Sequence, residues 1–328
     1  MKHNALFNDF KKLNVAIIGD VMLDTYMWGN VNRISPEAPV PIVALQNKEY
    51  RIGGAGNVAL NTIALGANTS IFSFVGNDDD SKIIIDLLQK QGINTNGILI
   101  AGDRITTNKI RIISRNQQMM RLDNEIINDI NSTQENELIN KIEHYITTQK
   151  PDVIIFEDYN KGVLTANVIQ QVIKLCTQHQ VLTTVDPKRK NFFAYKGVNI
   201  FKPNLKEVKD ALNILIDEVN KESLQNIHQL LFDNIQHQIS FITLAEKGVF
   251  YQTNTNTEMI PAHVRKIADV SGAGDTVIAV ISLMYAATKN MQLSAQIANI
   301  AGGIVCEEVG TVAINKEKLL QEVNILLL

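Results

Sequence analysis

Asn14-Val15-Ala16-Ile17-Ile18-Gly19 is a short, β-branched, uncharged run closed by glycine, the pattern of a strand buried on both faces of a sheet. Runs of the same kind recur at 70–75, 153–156, 181–185 and 241–244. Segments with helical spacing of apolar residues separate them, at 57–65, 80–91, 134–148, 165–178 and 221–234. Strands that alternate with helices predict an α/β fold, a three-layer α/β/α sandwich whose central sheet is mostly parallel.

Two stretches break that rhythm. Residues 26–50 hold three prolines and the alternating Val40-Pro41-Ile42-Val43-Ala44-Leu45, and residues 98–122 include Thr106-Thr107-Asn108-Lys109-Ile110-Arg111-Ile112-Ile113. Both read as solvated antiparallel ribbons. With no repeat or long linker, the expectation is one domain over 1–328, with a small β lid built from about 25–51 and 98–123 over the strand ends.

Composition excludes several classes. The chain has 328 residues, 45% hydrophobic and 20% charged, with 31 Lys+Arg against 34 Asp+Glu for a net charge of −3. That balance is globular and gives no field to recruit nucleic acid. No apolar run has the length of a membrane span, and the N-terminus lacks a signal-peptide pattern. Cys176 and Cys306 sit in apolar helical stretches and read as buried free thiols. A cytoplasmic location without a membrane partner is expected.

The chemistry concentrates in Asp269-Val270-Ser271-Gly272-Ala273-Gly274-Asp275-Thr276, ahead of an apolar helical run. Small residues at a helix start let backbone N–H groups close on an anion, with the helix dipole adding positive potential. The Lys-Ser/Thr pair of a Walker A loop is missing, and so is the strand-linked Gly-x-Gly-x-x-Gly of nicotinamide enzymes. Asp275 is placed to accept a proton from an attacking hydroxyl, or else to cap the helix. Gly53-Gly54-Ala55-Gly56-Asn57 opens a second helix, where bare backbone and the Asn57 amide could hold a polar ligand or simply pack a tight turn. Asp20 and Asp24 leave the end of the first strand, the edge at which α/β sheets bind ligands. Asn204 and Glu207, three apart, could order a hydrated Mg²⁺ or form a capping box. Thr243-Leu244-Ala245-Glu246-Lys247-Gly248 is a strand-to-turn that could flank a nucleotide.

In this order, the glycine cluster at 53–57 and the 269–275 signature resemble the ribokinase-like (pfkB) carbohydrate kinases over essentially the whole chain. The resemblance implies ATP as co-substrate with Mg²⁺, Gly272, Ala273 and Gly274 as an anion hole, and Asp275 as catalytic base. It also implies Asp24, Gly53, Gly54 and Asn57 on the sugar, and Asn204, Glu207, Thr243, Glu246, Gly248 and Gly274 at the nucleotide, with Glu207 reaching the metal through water. Further blocks, at 19–24, 33–41, 114–123, 157–162 and 185–188, resemble the heptose 7-phosphate kinases of lipopolysaccharide-core precursor synthesis. That likeness implies D-glycero-β-D-manno-heptose 7-phosphate as acceptor. Cations for its phosphate would come from Arg115, Arg121, Lys161 and Lys188, with Arg33, Lys109 and Arg111 also in or near these blocks. Many such kinases are fused to an adenylyltransferase with a His-x-Gly-His motif; the last histidine here is His263, so that activity is not expected in this chain. Another sugar kinase of the same fold, or an inactive sugar-sensing module, are the competing readings. A homodimer clasped through the ribbons is expected, because Val40, Ile42, Ile110 and Ile112 exceed what two ribbons can bury alone.

Overall fold

The computed structural model describes residues 3–115 and 117–327; Asn116, in the 114–123 block, lies outside the described residues. Among the described residues thirteen strands form two sheets. In the large sheet the chain-order strands are β1 (Asn14–Gly19), β4 (Asn68–Gly76), β5 (Asn94–Ala101), β8 (Val153–Glu157), β9 (Leu182–Asp186), β10 (Ile200–Phe201), β11 (Ile239–Thr243), β12 (Val249–Gln252) and β13 (Thr257–Ile260). Their spatial order is β13-β12-β11-β10-β9-β8-β1-β4-β5, parallel from β5 to β11, with the antiparallel β12 and β13 at one edge. The helices are α1 (Asn4–Asp9), α2 (Ala55–Leu65), α3 (Asp79–Lys90), α4 (Ser132–Gln149), α5 (Ala166–Gln178), α6 (Leu205–Leu212), α7 (Lys221–Ile235), α8 (Ala273–Thr288), α9 (Met291–Val305) and α10 (Lys316–Leu326).

β1 lies in the middle, paired with β4 on one side and β8 on the other, with Ile17 opposite Ile71 and Ile155. Successive side chains point to opposite faces. Val15 and Ile17 therefore enter the layer made with α2, α8, α9 and α10, while Ala16 and Ile18 enter the layer made with α4, α5, α6 and α7. This two-sided burial is why the run is apolar without alternation, and truncating Ile17 to Ala should cost about 2–5 kcal/mol. The expected three-layer α/β/α arrangement is the one the chain adopts. Cys176 and Cys306 are buried and free, and among the described residues no helix is long and apolar enough to cross a membrane.

The second sheet has the order β3-β2-β6-β7, from β2 (Val21–Ile34), β3 (Pro41–Gly54), β6 (Asn108–Ser114) and β7 (Gln117–Asn124). β2 and β3 form one antiparallel ribbon, β6 and β7 another, and β2 joins β6 in parallel. One boundary differs from the sequence reading: residues 98–101 are not ribbon but the end of β5, the edge strand of the large sheet. Leu99 and Ala101 bury against Phe72 and Phe74 there. A half-buried edge strand and a solvated ribbon carry the same period-two pattern, and only the tertiary partner separates them.

Candidate active site

The C-terminal ends of β1, β8 and β9 meet the starts of α2 and α8. Gly272 is the N-cap of α8, with φ 77° and no side chain capping the helix. A Cβ on Gly272 would stand 2.8 Å from Nδ2 of Asn57, and one on Gly274 would stand 3.4 Å from Oδ2 of Asp186. Glycine is needed at Gly272 on both counts, the left-handed backbone and the close approach. The first-turn N–H groups of α8, aligned with the helix dipole, make an anion seat.

Asp275 lies in that first turn, so it is not the N-cap. Its Oδ2 accepts from Nδ2 of Asn57 at 2.7 Å and its Oδ1 accepts from the Tyr159 hydroxyl at 2.9 Å. Burial pushes its pKa up, against the pull of these two bonds and with help from the Asp186 charge, to about 6. The resemblance places Asn57 on the sugar; in this structure its amide N–H₂ donates to Asp275, and Asn61 donates to its carbonyl at 2.8 Å. Tyr159 lies in the 157–162 block, where the sequence gives it no role. Asp20 anchors that block: its carboxylate accepts from the backbone N–H groups of Tyr159, Lys161 and Val163 at 2.9, 3.0 and 3.1 Å. Asp24 pairs with Arg111 at 2.5 Å. Gly53 and Gly54 let β3 pass close by, since a Cβ on Gly53 would meet Oδ2 of Asp24 at 2.5 Å and one on Gly54, φ 60°, the Asp20 carbonyl at 2.3 Å.

A cleft of about 1140 Å³ opens on one side of Asp275. Asn204, Thr243, Glu246, Gly248 and Gly274 all line it, together with Asp186, Lys188 and Lys202. Asn204 and Glu207 make the capping box of α6: the Asn204 side chain accepts from the Glu207 N–H and Glu207 Oε2 accepts from the Asn204 N–H, both at 2.8 Å. The other Glu207 oxygen is taken by Lys188 at 2.7 Å. Lys188 also reaches Asp186 at 3.2 Å, and Lys202 holds the second Asp186 oxygen at 2.7 Å. Burial alone would raise the Asp186 carboxyl, but the two lysines overcome it and hold the group below the usual range.

Glu157 opens the same 157–162 block, where the sequence assigns it no role. It is fully buried at the end of β8, in register with Asp186, and neither carboxylate oxygen has a hydrogen-bond partner among the described residues. Burial, then the charges of Asp186 and Asp275, raise its pKa well above the usual carboxylate range. Among the described residues, no three His, Cys, Asp or Glu side chains converge into a metal cage.

The basic residues expected to act together do not form one cluster. Arg115 is exposed in the turn after β6, Arg121 is paired with Asp123 through two bonds of 2.9 Å, and Lys161 is paired with Glu125 at 2.7 Å. Lys188 belongs to the large cleft, held in the acid network around Asp186 and Glu207. Arg33 is exposed near the far end of β2. Alternation on a ribbon gives no register, so charges from different strands could not be grouped in advance.

The profile of the pfkB family carbohydrate kinases matches residues 12–318. The chain belongs to that family. It is 39% identical over 313 residues to the "Bifunctional protein HldE" of Koribacter versatilis, covering 95% of this chain and 63% of that one. To the protein of the same name from Aliarcobacter butzleri it is 38% identical over 92% of this chain and 62% of the relative. This chain thus spans under two thirds of the length of these relatives. Among solved structures, phosphofructokinase-2 from Escherichia coli in complex with potassium superposes with a TM-score of 0.79 at 14% identity, over 96% of this chain and all of that one. Arabidopsis thaliana ribokinase complexed with ribose and ATP superposes at 0.73 and 14% identity, over 94% and 98%. These two likenesses concern the fold. Family membership makes the protein a sugar kinase with ATP as phosphoryl donor.

Proposed function

We propose that this kinase transfers the ATP γ-phosphoryl group to the anomeric hydroxyl of D-glycero-β-D-manno-heptose 7-phosphate, giving heptose 1,7-bisphosphate. The observation that carries the transfer step is the buried Asp275 carboxylate, fixed by Asn57 and Tyr159 in the first turn of α8. A base with pKa about 6 is ionised at neutral pH and still basic enough to take a hydroxyl proton as the oxygen attacks. The N–H groups of the Gly272-Ala273-Gly274 turn receive the charge that builds on the transferring phosphoryl group, and Lys188 and Lys202 add fixed positive charge beside it. The choice of a heptose 7-phosphate is supported by the matched blocks and by the HldE relatives.

Magnesium fits the residues present. The two unpartnered oxygens of buried Glu157 are an unmet demand for positive charge, whereas both oxygens of Glu207 are engaged. Glu157 would hold the ion alongside nucleotide phosphates and water, while Asp186 and Glu207, whose oxygens are already engaged, would reach it through water. When bound, it supplies charge neutralisation for the phosphates.

The small sheet acts in this reading as a lid, and its outer side is the contact for a second copy: Ile34, Val40, Leu45, Met120 and Leu122 are each about half exposed or more. The reaction belongs in the cytoplasm, where ATP is available. ATP consumption measured against hexose, pentose and heptose phosphates and against the same sugars unphosphorylated tests the assignment: turnover highest with heptose 7-phosphate supports it, and turnover with an unphosphorylated sugar alone defeats it.

A further inference from the structure

Lys109 lies on β6, in register with Asp24 of β2 and with Asp123 of β7. Register partners share a face of a sheet, so Lys109 stands on the polar face of the small sheet together with those carboxylates. Yet they are already engaged. Arg111 holds Asp24, Arg121 holds Asp123, and Lys161 holds Glu125. Among the described residues the Lys109 ammonium has no hydrogen bond and no ion pair. It lies over the ring of Tyr159, whose centroid is 5.4 Å from Nζ. Lys109 is also partly withdrawn from water, and burial lowers its pKa, with the like charge of Lys161 adding to that effect against the pull of Asp24. Lys109 is a half-buried ammonium next to a second ammonium, with Asp24, Asp123 and Glu125 each already paired to another cation and, among the described residues, Oε2 of Glu125 left without a partner, which leaves room for an anion beside it.

The surroundings say where that anion would sit. Tyr159 lines the large cleft and also a second one of about 750 Å³, whose wall includes Asn160, Lys161 and Lys190. Asn160, held at φ 55°, has a buried Oδ1 without a partner, an acceptor ready for a hydroxyl. The Tyr159 hydroxyl donates to Asp275, while Lys109 lies over its ring. One tyrosine side chain therefore stands between the proton acceptor and the unpaired cation, and Lys188, already held by Asp186 and Glu207, lies 5.5 Å from the same ring.

Resting on the sugar-phosphate reading above, we propose that Lys109 and Lys161 seat the phosphate that the acceptor sugar already carries, with Asn160 taking a sugar hydroxyl and Tyr159 setting the distance from that phosphate to the reacting hydroxyl. Specificity for a phosphorylated acceptor then resides at the junction of β6 with the 159–161 loop. Arg115, Arg121 and Lys188 have no part in it.

The test compares the unmodified chain with Lys109→Met, Lys161→Met and Lys109→Arg. For each, kcat and KM are measured with heptose 7-phosphate, with the unphosphorylated heptose and with ATP, and inorganic phosphate is tried as a competitor of the sugar phosphate. Each methionine variant should raise KM for heptose 7-phosphate by about ten- to a hundredfold. KM for the free heptose and for ATP should stay within about twofold, which also shows that the variant folds, and competition by phosphate should weaken. Lys109→Arg should recover most of the loss. If KM for ATP rises instead, Lys109 serves the nucleotide and the seat is wrong. If the unmodified enzyme prefers the phosphorylated sugar and Lys109→Met keeps that preference, the seat lies elsewhere although the function stands. If the unmodified enzyme shows no preference for the phosphorylated sugar, the functional reading falls, and the seat with it.

Discussion

Asn57 and Asp275, 218 residues apart in the sequence, meet through a 2.7 Å hydrogen bond from Nδ2 to Oδ2. The bond joins the starts of α2 and α8, the two glycine-led helices at the strand ends. It leaves the Asp275 carboxylate with one orientation, in which its other oxygen accepts from Tyr159.

Removing the amide should therefore disturb chemistry more than binding. Asn57→Ala is expected to lower kcat by about ten- to a hundredfold while KM for ATP changes little. Steady-state kinetics at saturating ATP check this; a pure rise in the sugar KM with unchanged kcat would return Asn57 to a sugar-binding role.

The pKa of about 6 at Asp275 fixes the sign of the pH dependence. The ionised form is the active one, so kcat/KM for the sugar should be flat above about pH 7 and fall toward tenfold per unit well below pH 6. Asn57→Ala removes a bond that lowers this pKa, and the acid limb should move to higher pH. A pH–rate profile of both proteins reads the shift.

Glu157 gives a stability prediction. Its folded pKa is raised above the unfolded value, so its favourable contribution is fully present below the unfolded pKa and is lost as pH rises through the folded one. In the absence of metal and nucleotide, Glu157→Gln should melt higher than the unmodified chain at pH 8 and close to it at pH 4.5. Thermal denaturation at the two values decides; equal differences at both would mean that Glu157 is not a strained buried acid.

Gly272 tolerates no side chain, for a left-handed φ and a close contact with the Asn57 amide act together. Gly272→Ala should cost about 1–2 kcal/mol of stability from the backbone alone and, by displacing Asn57, lower kcat as well. Thermal melting and kinetics on the same sample measure both.

Light scattering tests the outer side of the small sheet. A dimer at micromolar concentration is expected, and Val40→Lys with Leu122→Lys should leave a monomer, since two charges in an apolar interface have no partner there.

Much of this fold was legible in the sequence because β1, β8, β9 and β11 are buried on both faces, so their apolar runs have no solvent-facing half to dilute them. The antiparallel edge of β12 and β13 and the membership of 98–101 in β5 were not, because each depends on a tertiary neighbour. In the site, the 269–275 turn announced itself through glycines that only a close approach explains. Tyr159, Glu157 and the anchoring role of Asp20 stayed hidden, since a tyrosine or a carboxylate carries no local sign of the partner that folding brings to it. The Asn204/Glu207 spacing fitted both a metal and a helix cap, and the capping box is formed. Lys109 looked like any charge on a solvated ribbon until its neighbours were seen to be paired.

The account turns on phosphoryl transfer to the anomeric oxygen with Asp275 as base. The most direct measurement is phosphorus NMR of the enzyme with ATP, Mg²⁺ and heptose 7-phosphate, run beside Asp275→Asn. The account predicts a new anomeric phosphate signal that grows one-for-one with ADP, slowed about 10²–10⁴-fold in the variant. A product phosphorylated at another carbon, or an Asn variant as fast as the unmodified enzyme, would contradict it.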